Sequence, residues 1–196
     1  MSHYFIENTD LLTHERILPL MIFNEHFRFL SNNGLFSCDR VDGASILLLE
    51  HIPGLLAGER LLDLGCGYGV LGIVLARKYG VDLTFSDVNG VALAYATRNA
   101  ALNDVAAKAV HSDGFDGISD MFRYITLNPP IHAGKDVMYR LYEGAAMHLL
   151  PEGTFYVIIQ KKHGAESSMK KLLEIFSAVD VLYKRKGYFV LACWHL

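Results

Sequence analysis

Long apolar runs are missing from this chain of 196 residues: none reaches the ~18–20 residues that cross a bilayer. The opening Met-Ser-His-Tyr-Phe-Ile-Glu has no basic start of the kind a secretory leader carries, so a cytoplasmic protein is expected. Cysteine is scarce. Cys38, Cys66 and Cys193 are too few and too scattered for a disulfide framework or a zinc cluster. The nine histidines show no ligand spacing such as His-Glu-x-x-His, and no metal is expected. Positive charge is not in excess: a net charge of −3 gives no global pull toward nucleic acid, so any such partner must be held by a local patch. Repeats and linkers are absent too. What remains is 52% hydrophobic and 20% charged, enough for one globular domain, residues 1–196, with a substantial core.

Glycine, by contrast, is concentrated where it matters. Asp63–Gly72 reads Asp-Leu-Gly-Cys-Gly-Tyr-Gly-Val-Leu-Gly, after the apolar Arg60-Leu61-Leu62 and before a helical stretch, Val70–Tyr79. The glycines therefore sit on a strand-to-helix turn, where the backbone bends sharply and a ligand can approach its peptide groups. The helix N-terminus adds unpaired N–H groups. Gly67, Gly69 and Gly72 form a literal Gly-x-Gly-x-x-Gly, the pattern of a nicotinamide dinucleotide site. Asp63 argues against that reading. A carboxylate beside a pyrophosphate is repelled, by roughly 1 kcal/mol at 4 Å in water and more where water is excluded. Beside an ammonium it is attracted. A ligand with an α-amino group, a ribose and an adenine suits the turn better, and S-adenosylmethionine is such a ligand. Gly65, Gly67 and Gly69 would shape its seat and Cys66 would fill the turn.

Patterning places these residues in a fold. Residues 1 to about 45 form an N-terminal extension, with Arg16–Phe23 and His26–Ser31 paired as a β-hairpin around Asn24-Glu25 and Pro19 requiring an edge. A helix is predicted over Gly43–His51, with Ile46, Leu47 and Leu49 toward the core. Strands follow at Val81–Ser86, Ala107–His111, Arg123–Leu127 and Thr154–Gln160, with helices between. Met169, Leu172, Leu173 and Phe176 mark a further amphipathic helix, and Val179–Tyr183 with Tyr188–Trp194 a terminal hairpin. Alternating strands and helices predict an α/β, doubly wound, seven-stranded sheet, mostly parallel, with one antiparallel strand forced by the last hairpin.

In such sheets ligands sit off the carboxyl ends of the strands, where strand order reverses. Asp63, Asp87, Asp113 and Asn128 close four successive strands, which puts all four on that rim. Asp87, 24 residues after Asp63, is near the offset at which an acid meets ribose hydroxyls, with Val88 beside it to pack on adenine. Asp113 is placed to accept from the adenine amine, with Gly114-Phe115 as pocket wall; capping the segment that follows is its plain alternative. Asn128-Pro129-Pro130-Ile131 is the second specific signal. Two prolines remove two N–H donors and stiffen the backbone. The Asn128 side-chain oxygen and the Pro129 carbonyl are then fixed acceptors, a match for a planar NH₂ group.

Asp-x-Gly-x-Gly-x-Gly resembles the first motif of the class I SAM-dependent methyltransferases, and Asn-Pro-Pro-Ile resembles the motif of those that methylate exocyclic or amide nitrogens. Residues 128–135, Asn-Pro-Pro-Ile-His-Ala-Gly-Lys, narrow the resemblance. So do the N-terminal Phe-Ser-x-Asp-Arg-Val-Asp-Gly and Gln160-Lys161-Lys162-His163-Gly164. Together they resemble the "methyltransferase small" family, over essentially the whole chain, including ribosomal RNA guanine-N2 methyltransferases whose larger members carry a further N-terminal half. The resemblance implies S-adenosylmethionine as cofactor, Asn128, Pro129, Pro130 and Ile131 as the catalytic tetrapeptide, and an exocyclic base amine as methyl acceptor. Phe36 is a candidate for stacking on the base. Charge location agrees with an RNA partner: Lys135, Lys161, Lys162, Lys184, Arg185 and Lys186 all fall at the expected rim, where phosphate contacts would be made. The expectation is methylation of guanine N2 in ribosomal RNA. Protein glutamine or DNA adenine as acceptor, and a non-catalytic RNA-binding module, are the rivals.

Overall fold

The computed structural model describes residues 15–35, 37–130 and 134–195. It opens with β1 (Arg16–Ile22) and β2 (Glu25–Ser31), an antiparallel pair turned by Phe23 and Asn24. Both turn residues have positive φ, 55° and 62°, the mirror-image turn whose twist suits a hairpin. The turn falls one residue earlier than composition predicts. Register is decided by burial, which sends Leu18, Leu20, Ile22, Phe27 and Phe29 to one face. Pro19 stands in β1, which has β2 on one side only, the edge placement a proline needs.

The remaining elements are α1 (Gly43–His51), β3 (Arg60–Leu64), α2 (Val70–Tyr79), β4 (Asp82–Asp87), α3 (Gly90–Leu102), β5 (Ala107–His111), β6 (Phe122–Leu127), α4 (Gly134–His148), β7 (Leu149–Gln160), α5 (Ala165–Ile175), β8 (Ala178–Arg185) and β9 (Tyr188–Trp194). The seven-stranded sheet has the order β5-β4-β3-β6-β7-β9-β8, with β9 antiparallel to both neighbours and the other strands parallel. The expected doubly wound α/β architecture and hairpin extension are present. Chain order reverses between β3 and β6, so the crevice lies off their carboxyl ends.

Strand period splits the core in two. Leu61 faces α1, α2 and α3, together with the hairpin; Leu62 and Leu64 face α4 and α5. Leu61 and Leu62 are fully buried, each contributing about 1.5–3 kcal/mol by burial. Three expectations are corrected. Helix α1 buries Ala44, Ser45, Leu48 and Leu49, leaving Ile46 and Leu47 only partly covered. The run Ile46–Leu49 has no period of its own, and the contacts of Asp42 and Ser45 described below set the helix rotation. In α5, Leu173 is 58% exposed while Leu172 is fully buried. Strand β7 begins at Leu149, with Pro151–Gly153 carried in a register shift against β6.

The hairpin is fastened to α3 by two asparagines. Asn99 accepts from Leu30 N (2.7 Å) and donates to Leu30 O (3.0 Å) and Tyr68 O (2.9 Å). Asn103 accepts from Arg28 N (3.0 Å) and donates to Arg28 O (2.7 Å). Four residues of helix rise ~6 Å and two residues of strand ~6.8 Å, so amides at i and i+4 match peptide groups at j and j+2. They take the place of a third strand at the edge of β2.

Candidate active site

The glycine turn divides its glycines between two tasks. Gly65 and Gly67 have φ of 62° and 55°. A methyl group added at Gly67 would meet nothing within 4 Å, and at Gly65 only Leu127 Cδ1 at 4.0 Å. Space above this part of the turn is open. Gly72 is the reverse: a methyl there would lie 2.6 Å from Leu83 Cδ1 and 3.0 Å from a Phe85 ring carbon, so its lack of a side chain lets α2 press onto the sheet. Gly69, at φ 92°, packs against α3, with Ala96 3.2 Å from the position of an added methyl.

The structure places Asp63 differently from expectation. Its side chain is 1% exposed. Oδ2 accepts from Gly72 N–H at 2.9 Å and Oδ1 from the Thr126 hydroxyl at 3.1 Å. It clamps the first turn of α2 to β3 and β6 rather than presenting a free charge to a ligand. Burial pushes its carboxyl up to about 7, against the lowering effect of those two donors. Asp87 is half-buried and braces the turn from β4. One oxygen accepts from Gly67 N–H and the other from Asn89 N–H, both at 2.8 Å. Burial raises this carboxyl as well, while the donors from Asn89 and Gly67 lower it. Each oxygen keeps a further lone pair. Val88 next to it is 40% exposed, an apolar surface beside the turn. Cys66 packs within the turn, its thiol raised well above the usual range by burial and then by Asp63 and Asp87; nothing there activates it as a nucleophile.

Asp113 is also placed otherwise. Its carboxylate receives Arg140 at 2.6 Å on the surface, both side chains about half exposed. Gly114 has φ 60° and lies under Leu141. Phe115 stacks on His148 of α4 with ring centroids 4.5 Å apart. Phe36 and Ile131 lie outside the described residues.

Asn128 is the residue the structure characterises most fully. Leu64 pairs with Leu127 across β3 and β6, so Gly65 and Asn128 come next on neighbouring strands. The Asn128 amide nitrogen donates to Asp42 Oδ2 at 2.7 Å and to Ser45 Oγ at 2.9 Å. Among the described residues its carbonyl end is thereby the free one. Beside it opens a cavity of ≈170 Å³ whose lining includes Asp42, Asn128, Pro129, Lys135, Tyr139 and Gln160. Gln160 donates to the Tyr188 hydroxyl at 2.9 Å, which holds that amide too. Asp42 and Ser45 carry no role in the sequence reading. The available signal was Asp42 directly ahead of a helix, a capping position, within the motif Phe-Ser-x-Asp-Arg-Val-Asp-Gly.

The cations gather as expected. Gln160 is opposite Tyr188, and Tyr188 opposite Arg185, so the β8–β9 tip ends level with β7. Lys161 N donates to Gly187 O at 2.8 Å, tying the 3₁₀ turn Lys161–His163 to that tip. Lys161, Lys184 and Arg185 line a second depression of ≈430 Å³. Lys135, Lys161, Lys162, Lys184, Arg185 and Lys186 are all exposed. Among the described residues none of the six is in an ion pair, whereas Arg60, Arg77, Arg98, Arg123 and Arg140 each pair with a carboxylate. Among the described residues, too, no helix is long and apolar enough to cross a membrane, and no group of three or more His, Cys, Asp or Glu is set to hold a metal ion.

Comparison with known proteins follows the same lines. The family model for the methyltransferase small domain matches residues 26–192. The uncharacterized protein YbxB of Bacillus subtilis is 36% identical over 195 residues, 97% of this chain and 96% of YbxB. Ribosomal RNA small subunit methyltransferase C of Stutzerimonas stutzeri is 36% identical over 156 residues, 77% of this chain but 46% of that protein. Among solved structures, a 16S rRNA N2 methyltransferase of T. Thermophilus (RsmC), in complex with AdoMet and guanosine, superposes with a TM-score of 0.83 at 30% identity. It covers 93% of this chain and 51% of its own. The chain thus spans about half the length of the named ribosomal RNA enzymes it matches and nearly all of YbxB. From its glycine turn, its Asn-Pro-Pro corner and a match over most of its length, this chain belongs to the methyltransferase small domain family.

Proposed function

We propose that this chain transfers a methyl group from S-adenosylmethionine to an exocyclic amine of a base in RNA, guanine N2 of ribosomal RNA being the target. The observation that carries the reading is Asn128. Among the described residues its carbonyl end is left free next to the Pro129 carbonyl, at the edge of a cavity and one strand spacing from the open glycine turn. The relative from T. Thermophilus, solved with AdoMet and guanosine, supports the pairing of this cofactor with this base.

The residues of the turn fit the cofactor. Open space at Gly65 and Gly67 admits a ligand against the backbone. Asp87 has unused lone pairs for ribose hydroxyls, and Val88 offers an apolar surface for adenine. S-adenosylmethionine, when bound, supplies a methyl carbon activated by a sulfonium. The protein's own work is positional. Asn128 Oδ1 and the Pro129 carbonyl accept the two hydrogens of the target amine, which turns the nitrogen lone pair toward the incoming methyl and takes charge off the nitrogen as the bond forms. Pro130 keeps the corner rigid. In-line displacement at carbon gains mainly from such alignment. The cations at the rim hold phosphates and so the register of the RNA.

Tritium transfer from labelled S-adenosylmethionine into separate RNA, DNA and protein fractions tests the acceptor, and nucleoside mass spectrometry identifies the base. Label in N2-methylguanosine is expected; label confined to protein or DNA overturns the proposal. Asn128→Ala should lower kcat by about 100-fold or more, as loss of one preorganised polar contact does elsewhere. Calorimetric affinity for the cofactor should stay the same.

A further inference from the structure

We infer that Asp42 is a positioning residue that decides which end of the Asn128 amide meets the substrate, a role resting on the transfer reaction proposed above. A carboxamide is two-faced: rotated by 180°, the same side chain would present NH₂ to an NH₂, donor against donor. The partners here decide between the two rotamers. Asp42 Oδ2 can only accept from a neighbour when ionised, so the group 2.7 Å from it must be Nδ2–H. Ser45 Oγ takes the second hydrogen at 2.9 Å. With both hydrogens engaged, Oδ1 is, among the described residues, the amide atom left to face the cavity.

Asp42 is itself held. It is the N-cap of α1, with extended backbone (φ −63°, ψ 130°), and the same Oδ2 accepts from Ser45 N–H at 3.1 Å. The lock is thus anchored on the first turn of a helix packed against the sheet, 86 residues away in sequence from the residue it orients. A charge-assisted hydrogen bond is the stronger kind. Flipping Asn128 would exchange it for a carbonyl oxygen facing a carboxylate.

The test separates this role from helix capping. Asp42→Ser keeps a capping oxygen for Ser45 N–H but is one atom too short to reach Asn128. Asp42→Asn keeps an oxygen where Oδ2 stands, able to serve both donors. The expected result is that Asp42→Ser lowers kcat by about tenfold to 100-fold, the loss of one charged hydrogen bond expressed as a rate. Cofactor affinity and melting temperature should stay at wild-type levels, and Asp42→Asn should recover most of the rate. Nitrogen-15 NMR gives a readout independent of turnover. The two Asn128 amide protons should be exchange-protected and well separated in wild type and Asp42→Asn, and exposed in Asp42→Ser. Wild-type kcat in Asp42→Ser, or unchanged Asn128 amide signals, overturns the inference. A wild-type protein that methylates no RNA overturns the proposed function instead, and leaves the NMR result to decide the orientation.

Discussion

Asp63 shows how one buried carboxylate braces a turn from within. Both oxygens are occupied, by Gly72 N–H and by the Thr126 hydroxyl, and the side chain is 1% exposed. Burial raises its carboxyl from the ordinary 3.8 to about 7. The native state therefore holds this proton more tightly than the unfolded chain between those two values. Stability from this group is full below about pH 4, falls as pH rises toward 7 and levels off above it. Asp63→Asn removes the titration and keeps both contacts, since the amide oxygen accepts from Gly72 and the amide nitrogen donates to Thr126 Oγ1. The variant should be more stable than wild type at pH 8 by up to a few kcal/mol, with the difference closing by pH 4. Urea unfolding across pH 4–8 checks it; a wild-type protein with no such slope relative to Asp63→Asn refutes the assignment.

At the scale of elements, the hairpin and α3 form one unit through Asn99 and Asn103, and Tyr68 O brings the glycine turn into the same bond set. Asn99→Leu fills the volume but strands Leu30 N–H, Leu30 C=O and the Tyr68 carbonyl. Partly buried groups left unpaired cost about 1–3 kcal/mol each, so with three of them a loss of about 3 kcal/mol or more is expected. Amide exchange should speed up at Arg28 and Leu30 before the central strands, and uniform loss across the sheet would contradict this docking scheme. These elements also mark what was readable in advance. Helix α2, with Gly80 closing it in the left-handed conformation, follows directly from local punctuation. So does the hairpin, whose strands alternate buried and exposed residues. The asparagine pair was not legible, because an alanine-rich helix with two polar residues four apart reads equally as a solvated stripe. Nor was the Asp42–Asn128 contact, which joins residues 86 apart in sequence and depends on α1 packing against β7 and β9. For Asp63, sequence shows a charge at the end of a strand but not that Gly72 N–H and the Thr126 hydroxyl already surround it.

Across the whole molecule, charge is sorted. The chain carries a net −3, yet the rim that bears Asn128 collects six exposed cations without an ion-pair partner among the described residues. Ion-paired arginines elsewhere present little field to a polyanion, while unpaired ones release counterions when a phosphate replaces solvent. For single-stranded nucleic acid, log K falls with log salt at a slope of about −0.7 per phosphate neutralised. Changing Lys184, Arg185 and Lys186 together to Glu removes three cations and adds three repulsive charges at the β8–β9 tip. The slope for binding ribosomal RNA fragments should flatten by about 2, with affinity at low salt falling by more than tenfold. All three residues are exposed, and among the described residues the Lys184 ammonium contacts the Phe189 ring at 5.1 Å and enters no ion pair, so the melting temperature should hardly move. Fluorescence anisotropy from 50 to 200 mM salt measures the slope. A variant that keeps the wild-type slope would mean that RNA reaches Asn128 along another face, and that the sorted charge at this rim serves something other than its phosphates.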